Sequence, residues 1–168
     1  DDGGRENVIA TGGGPGLMEA ANRGAYDVGA PSIGFNITLP HEQEPNPWTT
    51  PDLTFRFHYF AMRKMHLAMR ANALIAFPGG FGTFDELFEV MTLRQTKKGR
   101  DIPIILFDEG YWRGVVNFER MLEEGVIGPE DVQIFAFAES ARQAWDIVQA
   151  ARCGPLLAEG GHRAARET

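Results

Sequence analysis

The chain has 168 residues, of which 43% are hydrophobic and 23% charged, so it can bury the core of one soluble domain without disulfides or metals. Its formal net charge of −7 argues against a broad nucleic-acid-binding surface, and no apolar run approaches the roughly 18 residues that span a bilayer. Cys153 is the only cysteine, which excludes an internal disulfide and a cysteine-rich metal site. No secretory signal pattern opens the chain, so the expected compartment is the cytoplasm and the expected ligand is a small molecule.

The chain begins with a predicted strand, glycine-rich turn and helix. Residues 7–11 (NVIAT) have the composition of a strand, residues 12–16 (GGGPG) that of a turn, and a helical pattern follows at 17–26. In a doubly wound parallel sheet such turns lie at the carboxyl edge of the strands, where ligands bind. Leu17 stands where a G-x-G-x-x-G fingerprint starting at Gly12 needs a glycine, so a nicotinamide or flavin cofactor is not expected.

The next predicted strand, residues 32–38, leads into a proline-rich loop at residues 39–52 (LPHEQEPNPWTTPD). The loop follows a strand and is therefore expected at the same edge of the sheet as the glycine turn. Two interpretations stay open: it is a lid or specificity loop, or it is an ordinary surface excursion. The pattern assigns no separate roles to His41, Glu42 and Glu44.

A short strand at residues 53–57 precedes a strong predicted helix at residues 59–72 (YFAMRKMHLAMRAN). At about 100° per residue, this helix has a methionine stripe and a basic stripe. The first consists of Met62, Met65 and Met69, and the second of Arg63, His66 and Arg70. The methionines are predicted to lie in the core and His66 to be a packed helix residue. For the arginines, a solvated face and a reach into an anion pocket both remain open.

The stretch at residues 73–91 (ALIAFPGGFGTFDELFEVM) is a second strand, glycine-rich turn and helix. Its strand is predicted at residues 73–77, and its helical spacing is clear from Phe84 onward. The first turn of a helix has unpaired N–H groups and the positive end of the helix dipole, so it favours anions. Glycines allow close approach of a ligand to the backbone, and Thr83 adds a hydroxyl. The pattern therefore predicts a phosphate site.

A structural interpretation of the same residues also exists. Thr83 and Glu86 match T-x-x-E, the capping-box signature, in which both side chains only satisfy backbone donors at a helix start. The spacing alone does not choose between a capping pair and a functional glutamate.

The remaining pattern predicts a strand at residues 102–107, a helix at 111–124, a strand at 132–137 and a helix at 140–152. The expected fold class is α/β, a doubly wound, Rossmann-like parallel sheet with helices on both faces. We expect one domain over residues 1–168, with an ordered core at about 7–152 and a loose tail at 153–168.

Three segments resemble the LOG family, the cytokinin riboside 5′-monophosphate phosphoribohydrolases, whose members often carry the label "possible lysine decarboxylase". They are residues 12–25 (GGGPGLMEAANRGA), residues 61–90, which contain PGGFGTFDE, and the loop LPHEQEPNP. The loop and the FHYFAMRKM run are more similar to the longer bacterial members. The family has one more strand and helix before the first glycine turn, so we expect either that this segment is missing or that the sheet is shorter by one edge strand.

The resemblance implies hydrolysis of the N-glycosidic bond of a nucleoside 5′-monophosphate to a free base and ribose 5-phosphate. The family's catalytic arginine and glutamate correspond to Arg63 and Glu86. Its phosphate- and nucleotide-binding residues correspond to Gly12, Gly13, Gly14, Gly79, Gly80, Gly82 and Thr83. The resemblance also implies a homo-oligomer, a dimer or larger. This scheme requires no cofactor or metal, and the histidines lack the paired spacing of a metalloenzyme.

Two other functions are weighed against this one. Proteins that bind the phosphate of the molybdenum cofactor share the fold and a similar glycine loop, so a non-catalytic carrier of a phosphorylated ligand is the main alternative. An amino-acid decarboxylase usually needs pyridoxal phosphate on a lysine, and the chain has only Lys64, Lys97 and Lys98, in no recognisable cofactor motif.

Overall fold

The computed structural model describes residues 7–38 and 44–152, with the side chain of Arg152 left out. The predicted tail at 153–168 and the loop residues 39–43 lie outside this part of the chain, as do the side chains of His41, Glu42, Cys153 and His162. The chain divides into two compact units, Asp1–Asn72 with Gly79–Asp101 and Ala73–Pro78 with Ile102–Thr168. The expectation of a single domain stays a prediction.

The first unit has a parallel three-stranded sheet with β2 in the middle. Its elements are β1 (Ile9–Thr11), α1 (Leu17–Asp27), β2 (Ser32–Ile37), a short 3-10 helix (Pro51–Leu53), β3 (Thr54–Phe57), α2 (Phe60–Met69) and α3 (Phe81–Gln95). In the strand register, Gly34 of β2 is the partner of both Thr11 and Thr54. Because β1 ends at Thr11, the chain enters the first glycine turn directly from the sheet.

The two faces of β2 differ in chemistry. Its buried positions carry Ser32, Gly34 and Asn36, and none of these residues has a large apolar side chain. On the other face, the ring of Phe35 packs against the rings of β3 and of His66 in α2, and the His66 ring lies 5.3 Å from that of Phe57 between centroids. His66 is therefore packed against aromatic side chains, as predicted.

The methionine stripe of α2 is exposed, so its predicted place in the core is wrong. Met62, Met65 and Met69 have exposed fractions of 46%, 41% and 63%. The reason is that α2 packs through the basic stripe instead: Arg63 pairs with a side chain of α3, and His66 contacts the aromatic rings of the sheet. This leaves an apolar stripe at the surface of the first unit.

The second unit also has a parallel three-stranded sheet, with β5 in the middle. Its elements are β4 (Leu74–Ala76), β5 (Ile104–Phe107), α4 (Glu109–Val115), α5 (Phe118–Glu123), a short 3-10 helix (Asp131–Gln133), β6 (Phe135–Ala138) and α6 (Ala141–Arg152). Ile104, Ile105 and Leu106 are almost completely buried, as expected for a strand covered on both faces. The fully buried Trp112 donates its indole N–H to the carbonyl oxygen of Phe107 at 3.0 Å.

Two sequence predictions in this unit need correction. The helix predicted at residues 111–124 is two helices, because Val116 is extended and the side chain of Asn117 accepts a hydrogen bond from the Arg120 amide at 2.8 Å, which starts α5 anew. The strand predicted at residues 132–137 begins only at Phe135. The Asp131 carboxylate accepts a hydrogen bond from the Gly128 amide at 2.8 Å and closes a turn just before it.

Each unit follows the strand–helix–parallel strand pattern of a Rossmann-like, doubly wound fold, which confirms the predicted α/β class. Because the strands of each sheet are parallel, the turns that follow them lie at one edge of that sheet. Among the described residues, no helix is both long and apolar enough to cross a bilayer.

Candidate active site

The helix α3 begins inside the second glycine turn, residues 79–82, three residues before the predicted start. Gly80 is its N-cap, and the Gly80 carbonyl accepts hydrogen bonds from the amides of Thr83 and Phe84 at 3.0 and 3.2 Å. The N-cap residue Gly80 makes no side-chain capping hydrogen bond. A helix start without a side-chain cap is an arrangement that favours anions.

The capping-box interpretation of Thr83 and Glu86 is wrong. Thr83 is the third residue of the helix rather than its N-cap, and the carboxylate of Glu86 pairs with a side chain of another helix. The Thr83 hydroxyl instead lies against Gly79: a Cβ atom at Gly79 would stand only 2.2 Å from the Thr83 Oγ1 atom. Gly79 thus leaves room for a hydroxyl at the mouth of the second turn.

Arg63 and Glu86 form an ion pair between α2 and α3. The Arg63 Nη2 atom donates to the Glu86 Oε1 atom, and the two side chains are 12% and 32% exposed. The guanidinium also lies over the ring of Phe60, at 5.6 Å from its centroid. The solvated-face interpretation is therefore wrong for Arg63, whereas Arg70 is exposed.

The environment of Glu86 makes its carboxylate more basic than usual. Burial raises the pKa of Glu86 above its ordinary value of 4.5, and the positive charge of Arg63 only partly opposes this effect. The nearby carboxylate of Asp85 raises the pKa further. A carboxylate that is partly desolvated and held by a guanidinium suits a proton acceptor or the stabilisation of a developing positive charge.

The first glycine turn, residues 12–16, contacts the same arginine. A Cβ atom at Gly12 would stand 3.1 Å from Arg63 Nη1. Gly13 has a φ of 70°, and a Cβ atom there would stand 2.2 Å from the side-chain oxygen of Asn36, so a side chain is excluded on both grounds. The structure thus brings Gly12, Arg63 and Glu86 together.

The other predicted glycines lie nearby in the chain but differ in their surroundings. A Cβ atom at Gly14 would meet the end of the Met18 side chain at 2.7 Å, whereas Cβ atoms at Gly80 and Gly82 would have no described heavy atom within 4 Å. Gly80 and Gly82 thus border open space at the start of α3, which is the helix that carries Glu86.

Three asparagines that the sequence analysis did not single out hold the first turn. Asn46 donates its backbone N–H to the Gly13 carbonyl at 2.8 Å and its side-chain amide to the Gly14 carbonyl at 3.0 Å. The Asn36 side chain donates to the Gly13 carbonyl at 3.4 Å, and the Asn22 side-chain oxygen accepts from Asn46 at 3.0 Å. All three are buried. No local sequence pattern marks these asparagines, because their partners lie far away in the chain.

The buried polar atoms that have no protein partner cluster at the same place. Among the described residues these atoms are Asn22 Nδ2, Asn36 Oδ1 and Arg63 Nε. Asn36 and Arg63 lie against Gly13 and Gly12, respectively, and Asn22 bonds to Thr11 just before the turn, with 2.7 Å between Thr11 Oγ1 and Asn22 Oδ1. Buried polar groups are normally paired, so this cluster points to a water or ligand at the turn.

Lys64, the neighbour of Arg63, is occupied by two carboxylates. Its ammonium lies 3.0 Å from the Asp85 carboxylate and 3.2 Å from that of Glu89. The hydrogen bond to Asp85, followed by the one to Glu89, raises the pKa of Lys64. A lysine that forms a Schiff base needs a neutral amine and hence a lowered pKa, so this environment does not suit a pyridoxal phosphate lysine.

Comparison with known proteins identifies the family of this chain. The sequence signature of the family described as "Possible lysine decarboxylase" matches residues 18–148. Curated relatives include "Cytokinin riboside 5′-monophosphate phosphoribohydrolase LOG3" of Arabidopsis thaliana, 30% identical over 82% of this chain and 64% of its own length. LOG1 of the same plant is 31% identical over the same shares of the two chains. "Probable cytokinin riboside 5′-monophosphate phosphoribohydrolase LOGL3" of Oryza sativa subsp. japonica is 29% identical over 85% of this chain and 68% of its own length.

The chain thus spans 64% to 68% of the length of these relatives. The family signature, however, covers most of this chain, including the second glycine turn, the Arg63–Glu86 pair and the helices that carry it. The chain therefore belongs to the LOG family, the family described as "Possible lysine decarboxylase".

Proposed function

We propose that the protein hydrolyses the N-glycosidic bond of a nucleoside 5′-monophosphate, giving the free base and ribose 5-phosphate. The observation that carries this proposal is the partly buried Arg63–Glu86 pair beside the Gly12 turn. A buried pair of this kind is costly to maintain for stability alone, because both charges lose water. Its position next to two glycine turns gives it a chemical use.

In this proposal the phosphorylated sugar lies against both glycine turns, and the phosphate binds mainly at the second one. The uncapped amides at the start of α3 and the Thr83 hydroxyl supply hydrogen-bond donors, and the open space beside Gly80 and Gly82 accommodates the phosphate oxygens. The phosphate is remote from the bond that breaks. Its binding energy therefore serves to position the sugar over the reacting side chains.

Glu86 then acts on the sugar carbon. When the bond between C1′ and the base nitrogen breaks, the base keeps the bonding electrons and takes up a proton, and positive charge develops on the ribose ring. The Glu86 carboxylate stabilises that charge or accepts a proton from the water that adds its oxygen to C1′. Arg63 stays protonated, orients the carboxylate through its Nη2 atom and offers further donors to ribose or phosphate oxygens.

For the substrate we propose AMP or an N6-modified AMP such as a cytokinin riboside monophosphate. The names of the plant relatives support the cytokinin form, because the similarity to them extends over 82% of this chain. The test is a panel of purine and pyrimidine monophosphates, with free base and ribose 5-phosphate quantified separately. Equal amounts of both products from a purine monophosphate support the proposal, and no base release from any of them refutes it.

A non-catalytic carrier of a phosphorylated ligand, such as a molybdenum cofactor carrier, is not favoured. A carrier needs the glycine turns but has no use for a carboxylate of raised pKa paired with an arginine beside them. In the panel, tight binding of a monophosphate without any product would favour the carrier instead.

We further propose that the exposed methionine stripe of α2 mediates self-association. Met62, Met65 and Met69 form an apolar stripe on a helix that has no buried residue of its own. Methionine adapts its shape readily at interfaces, and apolar stripes of this kind are typical of protein contacts. The expected partner is a second copy of the chain, and the expected compartment remains the cytoplasm.

A further inference from the structure

Three asparagines hold the first glycine turn through hydrogen bonds, and we call them the clasp: Asn46, Asn36 and Asn22. Asn46 uses both of its nitrogen donors on this turn, its backbone N–H on the Gly13 carbonyl and its side-chain amide on the Gly14 carbonyl. Asn36 adds a second donor to the Gly13 carbonyl. Two consecutive carbonyl oxygens are therefore committed to protein donors.

The orientation of these two carbonyl groups affects whether the turn can bind an anion. A peptide carbonyl oxygen carries partial negative charge, so a glycine turn binds a phosphate only if its carbonyls face away from the ligand. Glycines permit many backbone conformations, and the turn needs outside restraints to hold one of them. The side-chain amides of the clasp supply those restraints from β2, from the loop after β2 and, through Asn22, from α1.

The clasp also reaches the Arg63–Glu86 pair. Gly12 packs against the Arg63 guanidinium, and Gly13 N donates to Thr11 Oγ1 at 2.9 Å, so the turn is held at both ends. A shift of the turn would move the surface on which Arg63 rests. In the segment that contains Asn46, the Thr50 hydroxyl also accepts a hydrogen bond from the Ser32 amide of β2 at 3.0 Å, so the segment contacts both the turn and the sheet.

From these contacts we infer that Asn46 is a positioning residue, which holds the first glycine turn in the conformation that accepts the phosphorylated sugar. The inference rests on the proposed function for its substrate, although not for its geometry. Asn46 touches no reacting atom. It acts through the orientation of two carbonyl groups and through the packing of Gly12 on Arg63.

The test compares Asn46→Asp and Asn46→Ala with the wild type. The aspartate places an oxygen where the side-chain donor faces the Gly14 carbonyl and the Asn22 oxygen, so three oxygens converge; the alanine only removes the donor. Either variant keeps the protein measurable if the other fails to fold. The control is Asn117→Ala, which removes the cap of α5 and lowers stability without touching the clasp.

The first readout is the ratio of kcat/KM for AMP to kcat/KM for adenosine, which lacks the phosphate. We expect this ratio to fall about tenfold in the Asn46 variants, the effect of a lost hydrogen bond to a binding element, and to stay unchanged in Asn117→Ala. If Asn46 had a purely structural role, its substitution would lower kcat/KM for AMP and for adenosine by the same factor. An unchanged ratio would therefore overturn the inference.

The second readout is calorimetric binding of ribose 5-phosphate, which does not depend on catalysis. Weaker binding by the Asn46 variants than by the wild type is the expected result. The wild type could bind ribose 5-phosphate better than the variants while no protein releases base from any monophosphate. That result would support the positioning role of Asn46 and refute the proposed hydrolysis. Equal binding by all three proteins, or no binding by the wild type, overturns the clasp.

Discussion

Arg63 on α2 and Glu86 on α3 are 23 residues apart in the chain and share an ion pair that is mostly withdrawn from solvent. The pair joins two helices of the same unit, and the second of them starts at a glycine turn. Burial of Glu86 outweighs the attraction of Arg63, so its pKa is raised rather than lowered.

The pH dependence of the reaction should report the raised pKa of Glu86. If the carboxylate form is active, kcat/KM falls as the pH drops through that pKa, and the acid limb lies above the ordinary value of 4.5. The folded state also holds this proton more tightly than the unfolded state, so the contribution of Glu86 to stability decreases as the pH rises through the same window. A kcat/KM profile recorded with AMP checks the limb. A limb at or below the ordinary glutamate value would contradict the assignment.

Substitution of Arg63 should change both rate and profile. Arg63→Lys keeps a charge but cannot bond to Glu86 and reach Gly12 at the same time, so kcat/KM should fall by about 10- to 100-fold, the range for a lost charged hydrogen bond. Arg63→Met removes the charge that lowers the pKa of Glu86, so the acid limb should move to higher pH. Arg70→Met, at an exposed position of the chain, is the control and should leave both unchanged. If the acid limb of the kcat/KM profile lies at the same pH in Arg63→Met as in the wild type, the limb does not report the ionisation of Glu86.

The two glycines at the second turn should respond differently to alanine. Gly79→Ala forces its methyl group against Thr83 Oγ1, so we expect a loss of about 1–3 kcal/mol in the free energy of unfolding. Gly82→Ala has open space in the described structure and occupies a helical position, so its stability should be equal or higher. Its added methyl group lies where we place the phosphate, so KM for AMP should rise. Thermal unfolding and steady-state kinetics measure both effects, and a Gly82→Ala protein with unchanged KM would argue against a phosphate at this position.

Self-association should depend on the methionine stripe. Met65→Lys puts a charge at the centre of the stripe, and a contact that buries this stripe would then have to bury an unpaired ammonium. We expect a smaller particle by light scattering coupled to size-exclusion chromatography. Val126→Lys, which alters an apolar side chain that is 66% exposed elsewhere, is the control and should leave the mass unchanged. If Met65→Lys also retains the mass of the wild type, the stripe is not the contact.

The sequence predicted the fold class and most of the helices from local patterns, but it placed the start of α3 three residues too late. A helix was expected from Phe84 because its apolar spacing begins there, yet the Gly80 carbonyl starts α3 earlier, at Phe81. The same error made Thr83 and Glu86 resemble a capping box. The start of α3 is set by hydrogen bonds to a glycine carbonyl, and the spacing of apolar side chains does not reveal such bonds.

Long-range packing explains the other misses. Spacing alone found both stripes of α2, but it could not tell which one packs, and the basic stripe did so because Arg63 and His66 have partners on α3 and in the sheet. The asparagine clasp joins Asn22, Asn36 and Asn46 through side-chain contacts between residues 23 to 32 positions apart, and no local pattern marks it. By contrast, the local pattern predicted the glycine turns as a phosphate site, and the resemblance to a family assigned the predicted roles of Arg63 and Glu86.

The proposed hydrolysis depends most on Glu86. Its most direct test compares the rates at which the wild type, Glu86→Gln and Glu89→Gln release free base and ribose 5-phosphate from AMP. Glu89 lies on the same helix and pairs with Lys64 rather than Arg63, so it is the matched control for loss of a carboxylate. We predict a loss of about 10²–10⁴-fold in Glu86→Gln and a rate close to the wild type in Glu89→Gln. A folded Glu86→Gln protein that releases both products at the wild-type rate would contradict the central claim.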